Sequence, residues 1–190
     1  MKNAVKFLAT SAVLGGMLAF VSGPAVAGGN PMVGGAPMYS SKNIVENAVN
    51  SADHTTLVAA VKAAGLVETL QGKGPFTVFA PVNDAFSALP DGTVANLLKP
   101  ENKAALVKVL TCHVVGKAVL ANALKSMIDD DRGRHPVPTL GGCTLQASYR
   151  GDRIMLEDEN GNVAHVSIAD VRQSNGVIHV IDKVLLPGRG

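Results

Sequence analysis

The hydrophobic pattern of this chain changes its period halfway along, and that change limits the folds it can adopt. Residues 144–149 read TLQASY, in which Leu145, Ala147 and Tyr149 alternate with polar residues as in a strand with one buried face. The same kind of pattern continues in the segments RIMLE, NVAHVSI and GVIHVIDKVLL. Three turn signals separate these segments: Arg150-Gly151-Asp152-Arg153, Asn160-Gly161 and Asn175-Gly176. The second half of the chain therefore predicts antiparallel hairpins.

The first half has the apolar spacing of helices. NIVENAVNS, HTTLVAAVKAAG and LVETLQG predict three short helices, the second with Asp53 as its N-cap and Gly65 at its end. Asn83 and Thr93 are expected to cap two further helical turns. ENKAALVKVL and VLANALKSMI predict two longer helices before the strand-rich half begins.

One strand interrupts this helical half. GPFTVFAP at 74–81 is an apolar, β-branched run between glycine and proline, which is typical of a strand buried on both faces. Helices followed by antiparallel strands, with one early strand inserted among them, predict an α+β domain.

The N-terminus has the three-part pattern of a secretory signal. Lys2 and Lys6 precede the apolar run 7–21, and small residues follow at Ala25 and Ala27. We therefore predict a signal peptide over 1–27, cleaved after Ala27, and a secreted or periplasmic mature protein. The alternative is a retained anchor helix, which the shortness of the run and its glycines disfavour.

The composition of the remaining residues indicates a linker, a folded domain and a short tail. Residues 28–41 are rich in glycine and proline and predict a flexible linker. The folded domain is expected over 42–187, followed by a short tail at 188–190.

The charge balance limits the classes of partner. The chain carries 17 Lys and Arg against 15 Asp and Glu, and removal of the signal peptide takes away two of the lysines. A neutral mature protein lacks the basic surface that nucleic acids require, and an aromatic fraction of 4% without tryptophan does not favour base stacking. We expect neither nucleic-acid binding nor, in the mature protein, a membrane span.

The sequence also lacks the motifs of catalysis and of metal binding. It contains no G-x-S-x-G, H-E-x-x-H or G-x-x-x-x-G-K-[ST] motif. The five histidines show no short ligand spacing. Asp158, Asn160 and Asn162 do not match a calcium loop in the position of their glycine, and Asp129–Asp131 are interpreted as a solvated loop. We therefore predict no enzyme activity, no cofactor and no metal site.

Three segments carry a family resemblance. TVFAPVNDAF at 77–86, LTCHVV at 110–115 and SNGVIHVIDKVLLP at 174–187 resemble the fasciclin adhesion domain in its bacterial single-domain form. The resemblance covers about 42–187 and implies a wedge-shaped β-sandwich flanked by helices, an extracytoplasmic location and a role in binding. Members of this family often carry tyrosine before the histidine of the middle motif, whereas Cys112 precedes His113 here. The adhesive role proposed for a Tyr-His surface is therefore not carried over to this chain.

This resemblance indicates two functions. The first is an adhesion or binding module that engages a surface or matrix protein, or a polysaccharide. The alternative is a carrier of a small apolar ligand such as a lipid or a pigment, which the low aromatic content disfavours.

Four residues are expected to be structural. Export would place Cys112 and Cys143 in an oxidising compartment, where two cysteines can pair, although two buried thiols remain the alternative. His113 has apolar neighbours and is expected to be buried and neutral. In the resembling family this histidine packs near the helix that follows the first motif, where Asn83 lies.

The tripeptide Arg150-Gly151-Asp152 is the sequence that animal integrins recognise. Glycine and aspartate are also what a tight hairpin turn selects, and we interpret the tripeptide first as a turn. A hairpin tip displayed at the surface is nevertheless suited to recognition, so these residues are kept as a candidate binding turn.

Overall fold

The computed structural model describes residues 30–188. The predicted signal peptide and its cleavage site lie outside the described residues. The helices are α1 (Ile44–Ala48), α2 (Thr55–Ala64), α3 (Val67–Gln71), α4 (Asn83–Ser87), α5 (Thr93–Leu97), α6 (Lys103–Thr111) and α7 (Ala121–Asp130), with 3-10 turns at Ala52–His54 and Pro100–Asn102. The strands are β1 (Met32–Val33), β2 (Ala36–Pro37), β3 (Phe76–Pro81), β4 (Val114–Val115), β5 (His135–Pro138), β6 (Thr144–Arg150), β7 (Arg153–Glu157), β8 (Val163–Gln173) and β9 (Gly176–Ile181).

Seven strands form one sheet in the order β4-β3-β9-β8-β7-β6-β5. All neighbours are antiparallel except β3 and β9, which run parallel from Phe76 opposite Gly176 to Pro81 opposite Ile181. The long strand β8 pairs with β7 at its start and with β9 along the rest, and its register shifts between Val166 and Val171. Such irregularities bend a strand. Strand β8 therefore connects the part of the sheet formed by β4, β3 and β9 to the part formed by β7, β6 and β5.

Alternate residues of the central strands point into two different cores. In β3, Val78 and Ala80 pack against the helices of the first half, whereas Phe79 packs into the core beneath α7. In β9, Ile178 packs against the helices of the first half, and Ile181 packs into the core beneath α7. Burial on both faces explains why these strands read as nearly continuous apolar runs. The α+β class predicted from the sequence is confirmed.

The segment predicted to be a flexible linker is partly packed. Within the described residues 30–41, β1 and β2 form a hairpin, and Val33 and Met38 are buried at 4% and 2% exposure. The Gly34 carbonyl also accepts a hydrogen bond from the Ala52 amide, at 3.1 Å. Gly34 and Gly35 supply the positive φ angles of the tight turn in this hairpin. Glycine-rich composition alone does not distinguish such a turn from a mobile arm.

Three predicted caps also differ from the structure. Asp53 lies inside the 3-10 turn that precedes α2 instead of capping the helix. Gly92, at φ +78°, stands before α5 in place of Thr93, which is the first helical residue. Asn83 begins α4, and its side chain bonds elsewhere, as described below. Among the described helices, none is long and apolar enough to cross a membrane.

Candidate functional site

The two cysteines form a disulfide between the halves of the molecule. Cys112 directly follows α6, Cys143 directly precedes β6, and their Cα atoms are 5.4 Å apart. Both residues are buried. The loop before Cys143 packs closely on the end of α6, since the Gly141 amide donates to the Thr111 carbonyl at 3.0 Å. Disulfides of this kind are typical of proteins outside the cytoplasm.

His113 is buried beside this disulfide and connects two distant segments. The Leu185 amide donates to Nε2 of His113 at 2.9 Å, so the proton of the ring lies on Nδ1, which donates to the Val109 carbonyl at 2.8 Å. Burial lowers the pKa of His113 from 6.5 to about 4. The ring is therefore neutral at physiological pH and links α6 to the segment after β9.

Asp158 holds the same segment from the other side. Its Oδ2 accepts a hydrogen bond from the Leu186 amide at 2.9 Å, and its Oδ1 accepts from the amides of Asn160 and Asn162, both at 2.9 Å. The residues that faintly resemble a calcium loop in the sequence thus form a turn around one carboxylate. Within the described residues, no cluster of three or more His, Cys, Asp or Glu side chains could hold a metal ion.

Asn83 caps a helix other than its own. Its Oδ1 accepts hydrogen bonds from the Thr56 amide at 3.0 Å and from the Thr55 hydroxyl at 3.1 Å. Its Nδ2 donates to the Ala52 carbonyl at 2.8 Å. The bond to the Thr56 amide satisfies a backbone donor at the N-terminus of α2. The helix's own N-cap residue, His54, makes no such side-chain bond. Asn83 and His113 share no hydrogen-bond partner, so each fixes a different junction.

Two structural polar residues were not singled out by the sequence. Asp170, at φ +59° in the irregular part of β8, accepts a hydrogen bond from the Ala121 amide at 2.7 Å and so caps α7. Asn175 accepts from the Ile44 amide at 3.0 Å and donates to the carbonyls of Leu70 and Gly72. The sequence predicted a turn at Asn175-Gly176, but it did not indicate that the Asn175 side chain bonds to residues more than a hundred positions away.

The candidate binding turn lies at the exposed tip between β6 and β7. Arg150 pairs with Arg153 across the hairpin, and Gly151 adopts φ +59° at the turn. The Asp152 carboxylate, fully exposed, contacts Lys125 Nζ of α7 at 3.0 Å. Tyr149, just before the tip, donates its hydroxyl to Asp129 of α7 at 2.6 Å. The tip is thus connected to α7 by two contacts while its own side chains face solvent.

A groove opens on the other side of α7. It has a volume of about 200 Å³ and lies between the helix and strands β3, β4 and β5. Its lining is mostly apolar and includes Phe79, Leu124, Met127 and Val137. His135 also lines it, and its Nδ1 lies 2.7 Å from the Asp131 carboxylate.

Comparisons with known proteins agree with this architecture. The model of the fasciclin domain family matches residues 52–187. Protein sll1483 of Synechocystis sp. is 49% identical over 156 residues, which cover 82% of this chain and 79% of that protein. Immunogenic protein MPT70 of Mycobacterium tuberculosis is 32% identical over 203 aligned positions, which cover 94% of this chain and 95% of that protein.

A solved structure has the same fold and confirms the fasciclin-like fold predicted from the sequence. A FAS1 domain pair from the insect cell adhesion molecule fasciclin I matches with a TM-score of 0.66 at 19% identity. The match covers 76% of this chain and 51% of that chain, so this chain spans about half of the pair. The fasciclin family is non-catalytic, in agreement with the prediction that the chain is not an enzyme. By its motifs, its fold and these matches, the chain belongs to the fasciclin domain family.

Proposed function

We propose that this domain is an exported binding module that attaches to a surface or matrix molecule through the hairpin tip at Arg150–Arg153. The observation that carries the proposal is the tip itself, which is exposed yet connected to α7 through Tyr149 and Lys125. A binding loop held by a rigid scaffold loses less conformational freedom when it binds. The adhesive association of the fasciclin family supports the same role.

Export is the second part of this proposal. A buried disulfide supports an oxidising compartment, and the pattern of residues 1–27 supports a signal peptide. N-terminal sequencing of the protein recovered from outside the cytoplasm is expected to begin at Gly28. A mature protein that retains Met1 would contradict cleavage after Ala27.

Attachment of cells tests the binding function. Surfaces coated with the folded domain should retain more cells of the native host than surfaces coated with the same protein after reduction, alkylation and heating. The unfolded sample is the matched control because it presents the same composition without the fold. Equal attachment to both surfaces would contradict the proposal.

The groove beside α7 supports a second candidate, a carrier of a small apolar ligand. Its volume of about 200 Å³ exceeds the engineered cavity of about 150 Å³ that binds benzene, but it is below the roughly 300 Å³ at which drug-sized pockets begin. An intact lipid or pigment would therefore extend beyond the groove. Organic extraction of protein purified from its own host, followed by mass and absorption spectra, tests this function. A near-equimolar apolar compound would support a carrier, and its absence would contradict one.

A further inference from the structure

The hairpin tip places two like charges opposite each other. Arg150 and Arg153 are register partners, so their side chains project from the same face of the sheet. Both residues are exposed. Like charges directly opposite in a hairpin destabilise it. This pair therefore does not contribute to the stability of the turn.

The surrounding carboxylates do not neutralise this pair. Asp152 contacts Lys125, and Glu157 contacts Arg134 at 2.6 Å. Asp182 lies beside His165, with 3.1 Å between its Oδ2 and Nδ1 of the ring. Within residues 30–188, no carboxylate lies within 4.0 Å of the guanidinium of Arg150 or Arg153. Both cations are thus available to an external anion.

The two arginines form one end of an open cleft on the outer face of the sheet. Met155 follows Arg153 on the same face, and its register partner on β8 is His165. Ser167, two residues further along β8, is exposed and lines the cleft, and its hydroxyl donates to the Val180 carbonyl at 3.2 Å. The cleft has a volume of about 860 Å³, which is ample for two or more sugar rings.

We propose that this cleft binds an acidic polysaccharide, with the carboxylates of uronic acid residues received by Arg150 and Arg153. The guanidinium group presents paired donors that match a carboxylate in a bidentate geometry. The Ser167 oxygen, whose proton is donated to the Val180 carbonyl, can accept a hydrogen bond from a sugar hydroxyl. The Nε2 of His165 can accept another, since its Nδ1 contacts Asp182, and Met155 offers an apolar contact to a ring face. This inference rests on the proposed binding function and identifies its partner.

The chemistry of the cleft favours a polysaccharide over a protein. Protein interfaces depend on buried aromatic or aliphatic anchors. In the described part of the chain, the large hydrophobic side chains that are exposed are Met32, Tyr39, Val49 and Leu140, and none of them lines the cleft. The lining consists of Arg150, Asp152, Arg153, His165 and Ser167, with Met155 and Val166 as half-buried apolar contacts. The one carboxylate among them, that of Asp152, is held by Lys125 at 3.0 Å, and the two unpaired arginines suit a hydrated and repeatedly charged chain.

Binding of the full-length mature domain to polygalacturonate tests the proposal. Isothermal titration at low salt should show binding by the wild type and a loss of affinity of roughly tenfold or more in the double variant Arg150→Gln/Arg153→Gln. The control variant Lys99→Gln/Arg172→Gln removes the same charge from exposed positions outside the cleft and should bind like the wild type. Equal losses in both variants, or no binding by the wild type, would overturn the proposal.

Further measurements separate the alternatives. Neutral dextran should not bind, and polyglutamate should bind more weakly than polygalacturonate; tighter binding of polyglutamate would identify an acidic protein as the partner instead. The melting temperature of the cleft variant should not fall, because the substitution removes a repulsion. If host cells attach equally to the wild type and to the cleft variant, the polysaccharide inference and the location of the binding site at the tip both fail, while the role as an exported binding module stands. If cells attach to neither protein, and wild-type binding to polygalacturonate is also absent, both proposals fail.

Discussion

The junction at Cys112-His113 and the hairpin tip at Arg150–Arg153 differ in how their polar groups are satisfied. At the junction, both ring nitrogens of His113 have partners, and the neighbouring cysteine is crosslinked. At the tip, two guanidinium groups face solvent opposite each other. A buried polar group without a partner is costly, whereas an exposed charge can remain solvated until a ligand arrives.

This difference separates the residues that hold the fold from those that can recognise a partner. The family motif around His113 belongs to the first group, because its side chains are directed into the protein. The tip belongs to the second group. The comparison predicts that substitutions at the junction change stability with little direct effect on binding, and that substitutions at the tip do the reverse.

Loss of the disulfide should have the largest effect on the junction. Replacing Cys112 and Cys143 together by alanine is expected to lower the free energy of unfolding by about 3–4 kcal/mol, since the bridge closes a loop between residues 31 positions apart. Chemical denaturation of the oxidised protein and of the double variant measures the difference. Thiol titration of the denatured, unreduced wild type should find no free thiol, and two free thiols would contradict the pairing.

Acid should weaken the same junction. In the unfolded chain His113 titrates near 6.5, whereas burial lowers its pKa to about 4 in the folded protein. Between these values the unfolded state binds more protons, so the stabilisation is complete above pH 6.5 and is lost as the pH falls toward 4. The free energy of unfolding should fall by about 3 kcal/mol through His113. Burial also lowers the pKa of His54 and of His179, so both add to the loss of stability in acid.

A variant isolates the contribution of His113. His113→Ala should be less stable at pH 7 by roughly 1–3 kcal/mol, because it leaves the Leu185 amide without its acceptor. The same variant should show a shallower dependence of stability on pH between 4 and 6.5. Denaturation curves at several pH values measure both effects, and an unchanged slope would assign the acid sensitivity to another group.

Asn83 should have a smaller effect, because it lies at the surface and caps one helix. Asn83→Ala is expected to cost about 1 kcal/mol through the loss of its bonds to Thr55 and Thr56. Asn83→Asp is the comparison variant: it keeps the acceptor oxygen for Thr55 and Thr56, but it places a second oxygen against the Ala52 carbonyl in place of the Nδ2 donor. An Asn83→Ala variant as stable as the wild type would show that the cap of α2 is not an important contact.

The smallest expected effect is at Asp152, because the binding proposed for the tip depends on Arg150 and Arg153 and not on this carboxylate. Asp152→Glu keeps the negative charge and lengthens the side chain, and we expect it to leave both stability and the attachment of host cells unchanged. The contact of Asp152 with Lys125 is fully exposed on the side of the carboxylate, where ion pairs contribute little. A loss of attachment with an intact fold would instead show that recognition requires the Asp152 side chain, as it would if the Arg150-Gly151-Asp152 tripeptide were recognised as a unit.

The sequence predicted those features that depend on local pattern. Alternation at Leu145 and Ala147 predicted a half-buried strand, and both side chains are buried. The apolar neighbours of His113 predicted a buried ring, and its exposure is 2%. Local pattern is informative in these cases because strand periodicity and burial are properties of adjacent residues.

The features that were missed depend on residues distant in the sequence. The partners of Asn83 lie 27 to 31 positions away, and Asp170 caps a helix 49 positions before it. Only the folded sheet brings these groups together. The cleft at the tip was also not predicted beyond its turn, because His165 joins it through the register of β7 with β8.

The parallel pairing of β3 with β9 has a consequence for how the chain reaches its folded state. Strand β9 lies between β3 and β8 in the sheet, yet in the chain it follows every other strand of the described residues. The partner of Phe76 is Gly176, so the centre of the sheet forms only after about a hundred intervening residues have been synthesised. Such non-local pairings slow folding. A nascent chain of this design cannot complete its central sheet until its last strand has emerged, so native packing of β3 comes late relative to synthesis.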